Sequence, residues 1–170
     1  MPHQRIIIIG GSGSGKSTLA SRIAAHTHYP VYHLDNLLLN PDWSQKPKSD
    51  WLSICEKEFL SKDTGIVDGN YASVLNERIE WADLIIFIDV PAYRQLWSVL
   101  KRTILVNLKL EKREGSIEER KEGMSFDFFM WILNWNRDHR KELLARLETV
   151  KDTKVVVTRK PRGLDIGDII

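Results

Sequence analysis

The chain has 170 residues, 42% of them hydrophobic and 28% charged, which is enough for the core of one globular domain and excludes disorder or low complexity. Lys and Arg number 25 against 23 Asp and Glu, and the resulting charge of +2 argues against direct DNA binding through a dedicated basic face. The lone cysteine, Cys55, excludes a disulfide framework or a multi-cysteine zinc site, and the longest apolar run, Phe128 to Leu133, is far short of the ~20 residues that cross a bilayer.

Ile6–Ile9 reads as a short central strand, β-branched throughout and apolar on both faces. The residues ahead of it have no apolar leader, so the expectation is a cytoplasmic protein without a membrane segment. Glycines follow, then a helix from Ser17 to His26 with Leu19, Ile23 and Ala24 inward. Val31–Leu34 is a second strand. Trp51 to Leu60 reads as a helix, with Ser49 as N-cap and Asp50 in its first turn. Ile66–Val67 is a third strand ending in Asp68-Gly69, and Leu84–Ile88 a fourth ending in Asp89. Ala92 to about Leu105 is helical, with Leu96, Val99, Leu100 and Thr103 on one side. Ser125 to Val150 reads as one long helix, and Lys154–Thr158 as a fifth strand. Strands alternating with helices predict an α/β protein with a parallel sheet and right-handed crossovers.

Two polar stretches interrupt this pattern, 36–49 and 107–123. Each is either a solvated surface loop or a mobile segment that closes over a ligand.

Gly10-Gly11-Ser12-Gly13-Ser14-Gly15-Lys16-Ser17, followed by Thr18, fits the phosphate-binding pattern G-x-x-x-x-G-K-[ST] between a buried strand and a helix. The glycines let backbone N–H groups turn inward around a β-phosphate, and the helix presents its positive N-terminus to the same group. Lys16 reaches the β- and γ-phosphates, and the Ser17 hydroxyl is a ligand for Mg²⁺. There is no Asn-Lys-x-Asp guanine reader; Thr158-Arg159-Lys160-Pro161 lacks the carboxylate, which favours ATP.

With that loop, four further strings are similar to the bacterial DNA topology modulation proteins, in the adenylate-kinase-like branch of P-loop kinases. They are Pro30 to Asp35, Asp68-Gly69-Asn70-Tyr71, Ala82 to Asp89 and Leu100-Lys101-Arg102, joined by the aromatic stretch Trp131 to Arg140. The resemblance runs nearly end to end. It implies a P-loop NTPase three-layer sandwich over residues 1–170, with a five-stranded parallel sheet in the order 2-3-1-4-5. It also implies an adenylate-kinase-like lid at 107–123, a substrate-binding segment at 36–62, and Arg159 near the adenine.

Asp68 would reach Mg²⁺, with Gly69 leaving room for substrate, although Asp-Gly is also a common turn pair. Asp35, read at the end of the second strand, would take the proton of an attacking hydroxyl or else cap the next segment. True adenylate kinases follow their Asp-Gly with Phe-Pro-Arg. Here Asn70-Tyr71 stands instead, which speaks against AMP and suits a hydroxylated or ring-bearing acceptor. Trp43 and Arg78 are further candidates to face the acceptor. Arg102, Arg137 and Arg140 are candidates for stabilising transferred charge, the last two sharing a face if their helix is continuous. Trp131 and Trp135 read as packing against the sheet, His33 as a polar rim residue and Cys55 as a small buried hydrophobe.

The expected activity is ATP- and Mg²⁺-dependent transfer of the γ-phosphoryl group to a small hydroxylated or nucleotide-like acceptor. The alternative is an ATP-binding regulator that acts on DNA topology or on a protein partner.

Overall fold

A computed structural model describes residues 3–108 and 126–170. β1 (Arg5–Gly10) lies at the centre of a five-stranded parallel sheet completed by β2 (Val31–His33), β3 (Gly65–Asp68), β4 (Leu84–Ile88) and β5 (Lys154–Thr158). The order is β2-β3-β1-β4-β5, as the resemblance implies. β1 is in register with both neighbours: Ile7 lies opposite Val67 on β3 and Ile85 on β4.

Alternation along these strands divides the core into two layers. Ile7, Ile9, Val67, Ile85 and Phe87 face one layer, Ile6, Ile8, Ile66, Leu84, Ile86 and Ile88 the other, and all are fully buried. Burying each such side chain is worth about 1.5–3 kcal/mol, so the sheet supplies a rigid floor. Helix α1 (Lys16–Thr27) packs Leu19, Ala20 and Ile23 against the second layer. The first layer is covered by α2 (Leu34–Leu38), α3 (Trp51–Cys55), α4 (Leu75–Trp81), α6 (Phe126–Asp138) and α7 (Arg140–Glu148). α5 (Ala92–Asn107) runs from the end of β4 and packs against α6.

Several local expectations are corrected. The second strand stops at His33, because Leu34 and Asp35 already belong to the five-residue α2. The helix over 51–60 is present, but its second half, Glu56–Leu60, is wound as a π-helix. Ser49 does not cap it. A 3₁₀ turn, Lys48–Asp50, precedes α3, and the Ser49 hydroxyl donates to the Asp50 carboxylate at 2.8 Å. α4 has no counterpart among the elements expected from the sequence. On α5 the fully buried residues are Gln95 and Val99, whereas Leu100 is exposed. The single helix expected over 125–150 is two, bent at His139, whose φ of −119° departs from helical geometry.

The 36–62 segment is closed on itself after α2. Leu39 pairs antiparallel with Gln45, Lys46 Nζ donates to the Leu37 carbonyl at 2.8 Å, and the Trp51 indole donates to the Lys46 carbonyl at 3.0 Å. The lid expected at 107–123 falls, from residue 109 onward, outside the described residues.

Candidate active site

The C-terminal ends of β1, β2 and β3 meet at one edge of the sheet, where ligands gather in open parallel folds. The loop from Gly10 to Ser17 leaves β1 at that edge. Gly13 and Gly15 have φ of 76° and 97°, the left-handed region that costs an L-residue about 1–2 kcal/mol, so these two turns require glycine. Gly11 is required for a different reason: a methyl group there would collide with the side chain of Gln95 on α5, with the amide nitrogen 2.8 Å away. A methyl on Gly13 would collide with the Gln95 backbone carbonyl and lie 2.8 Å from Val99 Cγ2. Gln95 is itself fixed, donating from Nε2 to the Val90 carbonyl at 2.7 Å. α5 therefore buttresses the loop directly, a contact no sequence signal announced.

Within the cradle, Lys16 Nζ donates to the Gly11 carbonyl at 2.9 Å, and Ser14 Oγ is buried with no hydrogen-bond partner among the described residues. Ser12 is half-buried, and Thr18 on α1 is exposed. Asp68 ends β3 beside this loop and is buried. Burial pushes its carboxyl up. The hydrogen bond and charge of His33, the Ser17 hydroxyl and the Lys16 ammonium outweigh that and hold it below the usual carboxylate range. His33 Nδ1 lies 2.7 Å from Asp68 Oδ1. The two residues are register partners on adjacent strands, so the strand order together with their positions at the two strand ends could have found the pair.

Asp35, in the first turn of α2, accepts a 2.8 Å hydrogen bond from the Tyr71 hydroxyl. Gly69 has φ of 144°, and a methyl group there would lie 2.7 Å from Leu34 Cβ, so α2 and the 69–71 loop touch closely. Arg78 shapes that loop from beneath. It is 1% exposed, and its Nη1, Nη2 and Nε donate to the carbonyls of Gly69 at 3.0 Å, Tyr71 at 2.9 Å and Val74 at 3.2 Å. Burial lowers its pKa to about 10, so it is still protonated at neutral pH. Asn70 and Tyr71 are half-buried beside it.

Asp89, just past β4, is the other charged centre. Arg140 donates to it from Nε at 2.6 Å and Nη2 at 2.8 Å, and Arg159 from Nε at 3.2 Å. The Arg140 hydrogen bonds, opposed by burial and helped by Arg159, hold the Asp89 carboxyl below its ordinary range. Arg137 is exposed and bonded to its neighbour Asp138 at 2.7 Å, whereas Arg140, beyond the bend at His139, is bonded to Asp89. Arg102 is half-buried on α5, and Trp43 is half-buried in the loop after α2 with φ of 68°. The segment after Arg159 is held over α1: Arg22 donates to the carbonyls of Pro161 at 2.8 Å and Leu164 at 3.1 Å. Cys55 is buried, and burial pushes its thiol up to about 11. No helix among the described residues is long and apolar enough to cross a membrane.

The structure thus brings Lys16, Ser17 and Asp68 together, pairs Asp35 with Tyr71, and sets Arg140 and Arg159 on Asp89. It does not bring Arg137 to that cluster. No protein-family model matches the chain, and no curated protein matches it in sequence. Among solved structures, a gluconokinase from Sinorhizobium meliloti 1021 is 16% identical with a TM-score of 0.47, over 84% of this chain and 97% of that one. A shikimate kinase from Aquifex aeolicus vf5 is 16% identical with a TM-score of 0.51, over 97% of this chain and 90% of that one. With its β2-β3-β1-β4-β5 sheet and the phosphate cradle at the end of β1, the chain has the P-loop NTPase fold, in the version found in that shikimate kinase.

Proposed function

We propose that the protein is an ATP-dependent phosphotransferase that moves the γ-phosphoryl group to a small hydroxylated or nucleotide-like acceptor. The observation that carries this reading is the meeting of Lys16, Ser17 and Asp68 at the sheet edge where α2, following β2, holds Asp35 in its first turn. The sequence resemblance to DNA topology modulation proteins and the fold shared with the shikimate kinase support the same class.

The residues present fit a nucleoside triphosphate with Mg²⁺. Gly13 and Gly15 take turns that need glycine, Ser14 Oγ is a buried polar atom lacking a partner among the described residues, and the cation Lys16 reaches back into the loop to the Gly11 carbonyl. Ser17 and Asp68 would hold Mg²⁺, which supplies charge neutralisation on the phosphates. Gly10 to Thr18 line the nucleotide side, and Arg159 flanks the base.

Asp35 is the proton acceptor. As the acceptor oxygen bonds to the γ-phosphorus, the bond to the bridging oxygen breaks, ADP departs with the electron pair, and the hydroxyl proton passes to the Asp35 carboxylate. The Tyr71 hydroxyl orients that carboxylate, and Asn70, Gly69 and Trp43 border the acceptor. Arg102 and Arg140 supply positive charge for the transferring group, Arg140 by exchanging Asp89 for phosphate. Arg78 holds the shape of the acceptor loop.

The test is acceptor-dependent ATP consumption across a panel of hydroxylated metabolites, with Asp35→Asn beside the wild type. Nucleotide affinity should persist in the variant while transfer falls about 10²–10⁴-fold. Unchanged transfer in Asp35→Asn overturns the proton-acceptor role. ATP-dependent DNA binding that weakens with salt, without any phosphorylated acceptor, would favour a regulator instead.

A further inference from the structure

Next to the Asp35–Tyr71 pair lies a cavity of about 140 Å³, walled by the 70–72 loop and α4 on one side and by α6 and α7 on the other. Its chemistry is that of a hydrogen-bond donor set. Trp135 lines it and is 1% exposed, and its indole N–H has no hydrogen-bond partner among the described residues. An indole nitrogen can only donate, and leaving a buried donor unmet costs about 1–3 kcal/mol. Arg78 lines it too. A guanidinium has five N–H groups, and the three carbonyl bonds of Arg78 leave some of them over, with no carboxylate within ion-pair distance among the described residues. Arg146 and His139 from α7 and the bend before it complete the donors, and Arg146 likewise makes no ion pair among the described residues. Glu142 is the opposing charge on the wall.

We infer that this cavity binds the carboxylate of the acceptor, so that the substrate class is a small hydroxylated carboxylic acid. The lining carries two arginines and one glutamate, and Glu77 and Asp68 also act on Arg78, so the site suits a singly charged carboxylate and not a phosphate monoester with its charge of about −1.5 to −2. The volume suits a small group, close to that of a cavity that takes a single benzene ring. Tyr71 joins the two halves of the site: its hydroxyl bonds Asp35 and its side chain lines the cavity, so an acid seated here presents a neighbouring hydroxyl to Asp35. The role as acceptor site rests on the phosphotransferase reading; the anion binding does not.

The experiment follows the indole N–H resonances of the six tryptophans in the full chain, with Trp135 assigned by its loss in Trp135→Phe. The probes are glycerate and gluconate, their uncharged counterparts glycerol and glucitol, and glycerol 3-phosphate. The carboxylates should move the Trp135 resonance saturably, the polyols should not, and Arg146→Gln should weaken the carboxylate response about tenfold, as for one charge-assisted contact. No movement of the Trp135 resonance with either acid, or an equal response to the polyols, overturns the inference. A response to the phosphate ester alone overturns the carboxylate assignment. Because the titration needs no ATP, a carboxylate response without any phosphoryl transfer would leave the cavity assignment standing while the phosphotransferase reading fails. Transfer to polyols with a silent Trp135 would be the reverse.

Discussion

The contact between Gln95 and the phosphate loop gives two glycine substitutions opposite fates. In Gly11→Ala the three atoms nearest the new methyl all belong to the Gln95 side chain, so relief requires that side chain to move. Moving it forfeits the Nε2 bond to Val90, about 0.5–1.5 kcal/mol, and overpacks a fully buried position at about 1–3 kcal/mol, so a loss of about 2–4 kcal/mol is expected. Gln95→Ala vacates the space the methyl needs, so the double variant should recover a coupling of about 1–3 kcal/mol. Gly13→Ala fails differently. Its methyl meets the backbone carbonyl of Gln95, which no substitution at 95 removes, and its φ of 76° adds about 1–2 kcal/mol of left-handed strain. Gln95→Ala should therefore combine with Gly13→Ala additively, within about 0.5 kcal/mol. Urea unfolding of the five variants and the parent, compared by midpoint and slope, measures both cycles. Additivity in the Gly11–Gln95 cycle, or equal rescue of both glycine variants, would refute the steric argument.

Lys16→Ala should lower the unfolding midpoint only modestly, because Lys16 is half-buried and packs in neither core layer, while ATP affinity by calorimetry collapses; normal affinity would remove the phosphate role. Arg78→Met keeps much of the volume but strips the donors from three carbonyls, and should cost about 3–5 kcal/mol by denaturation. A loss below about 1 kcal/mol would show that water replaces the guanidinium. The Asp89 carboxyl titrates lower in the folded than in the unfolded state, so its stabilisation is complete above about pH 4, the unfolded value, and is lost as pH falls toward its folded value. Asp89→Asn should therefore flatten the decline in urea midpoint between neutral and acidic buffers, leaving the share due to Asp68, which has the same sign. An unchanged acid slope would mean that Arg140 and Arg159 do not favour the ionised form.

Legibility followed the range over which each interaction acts. The strand of four isoleucines and the glycine loop are local signals, and both the sheet and the cradle follow from them. Asp35 was placed at the end of a strand because Val31 to Leu34 is apolar; five residues of α2 are too few to show a helical period. α4 escaped for the same reason, although Leu75 and Ile79 are four apart and pack inward. The bend at His139 carries no glycine or proline to mark it, so Arg137 and Arg140 looked like neighbours. The clamps were hidden for a different reason. Arg78 binds backbone carbonyls, which have no residue signature, and Asp89 finds Arg140 and Arg159 only after the chain has crossed the sheet. The loop glycines were read as making room for phosphate, whereas Gly11 and Gly13 also make room for a helix encoded more than eighty residues later.

The central place of β1 has a consequence for synthesis. Its Ile7 needs Val67 on one side and Ile85 on the other, yet it is translated long before either. Until residue 88 has left the ribosome, Ile6–Ile9 is an uncharged, proline-free, β-branched run with at least one edge open, the composition that seeds intermolecular stacking. Long crossovers also make this pairing slow compared with the formation of α1 just behind it. A nascent chain paused or truncated ahead of β4 is thus a poor product with a sticky first strand, and recovery of soluble protein should depend more on chaperone supply than on the thermodynamic stability of the finished fold.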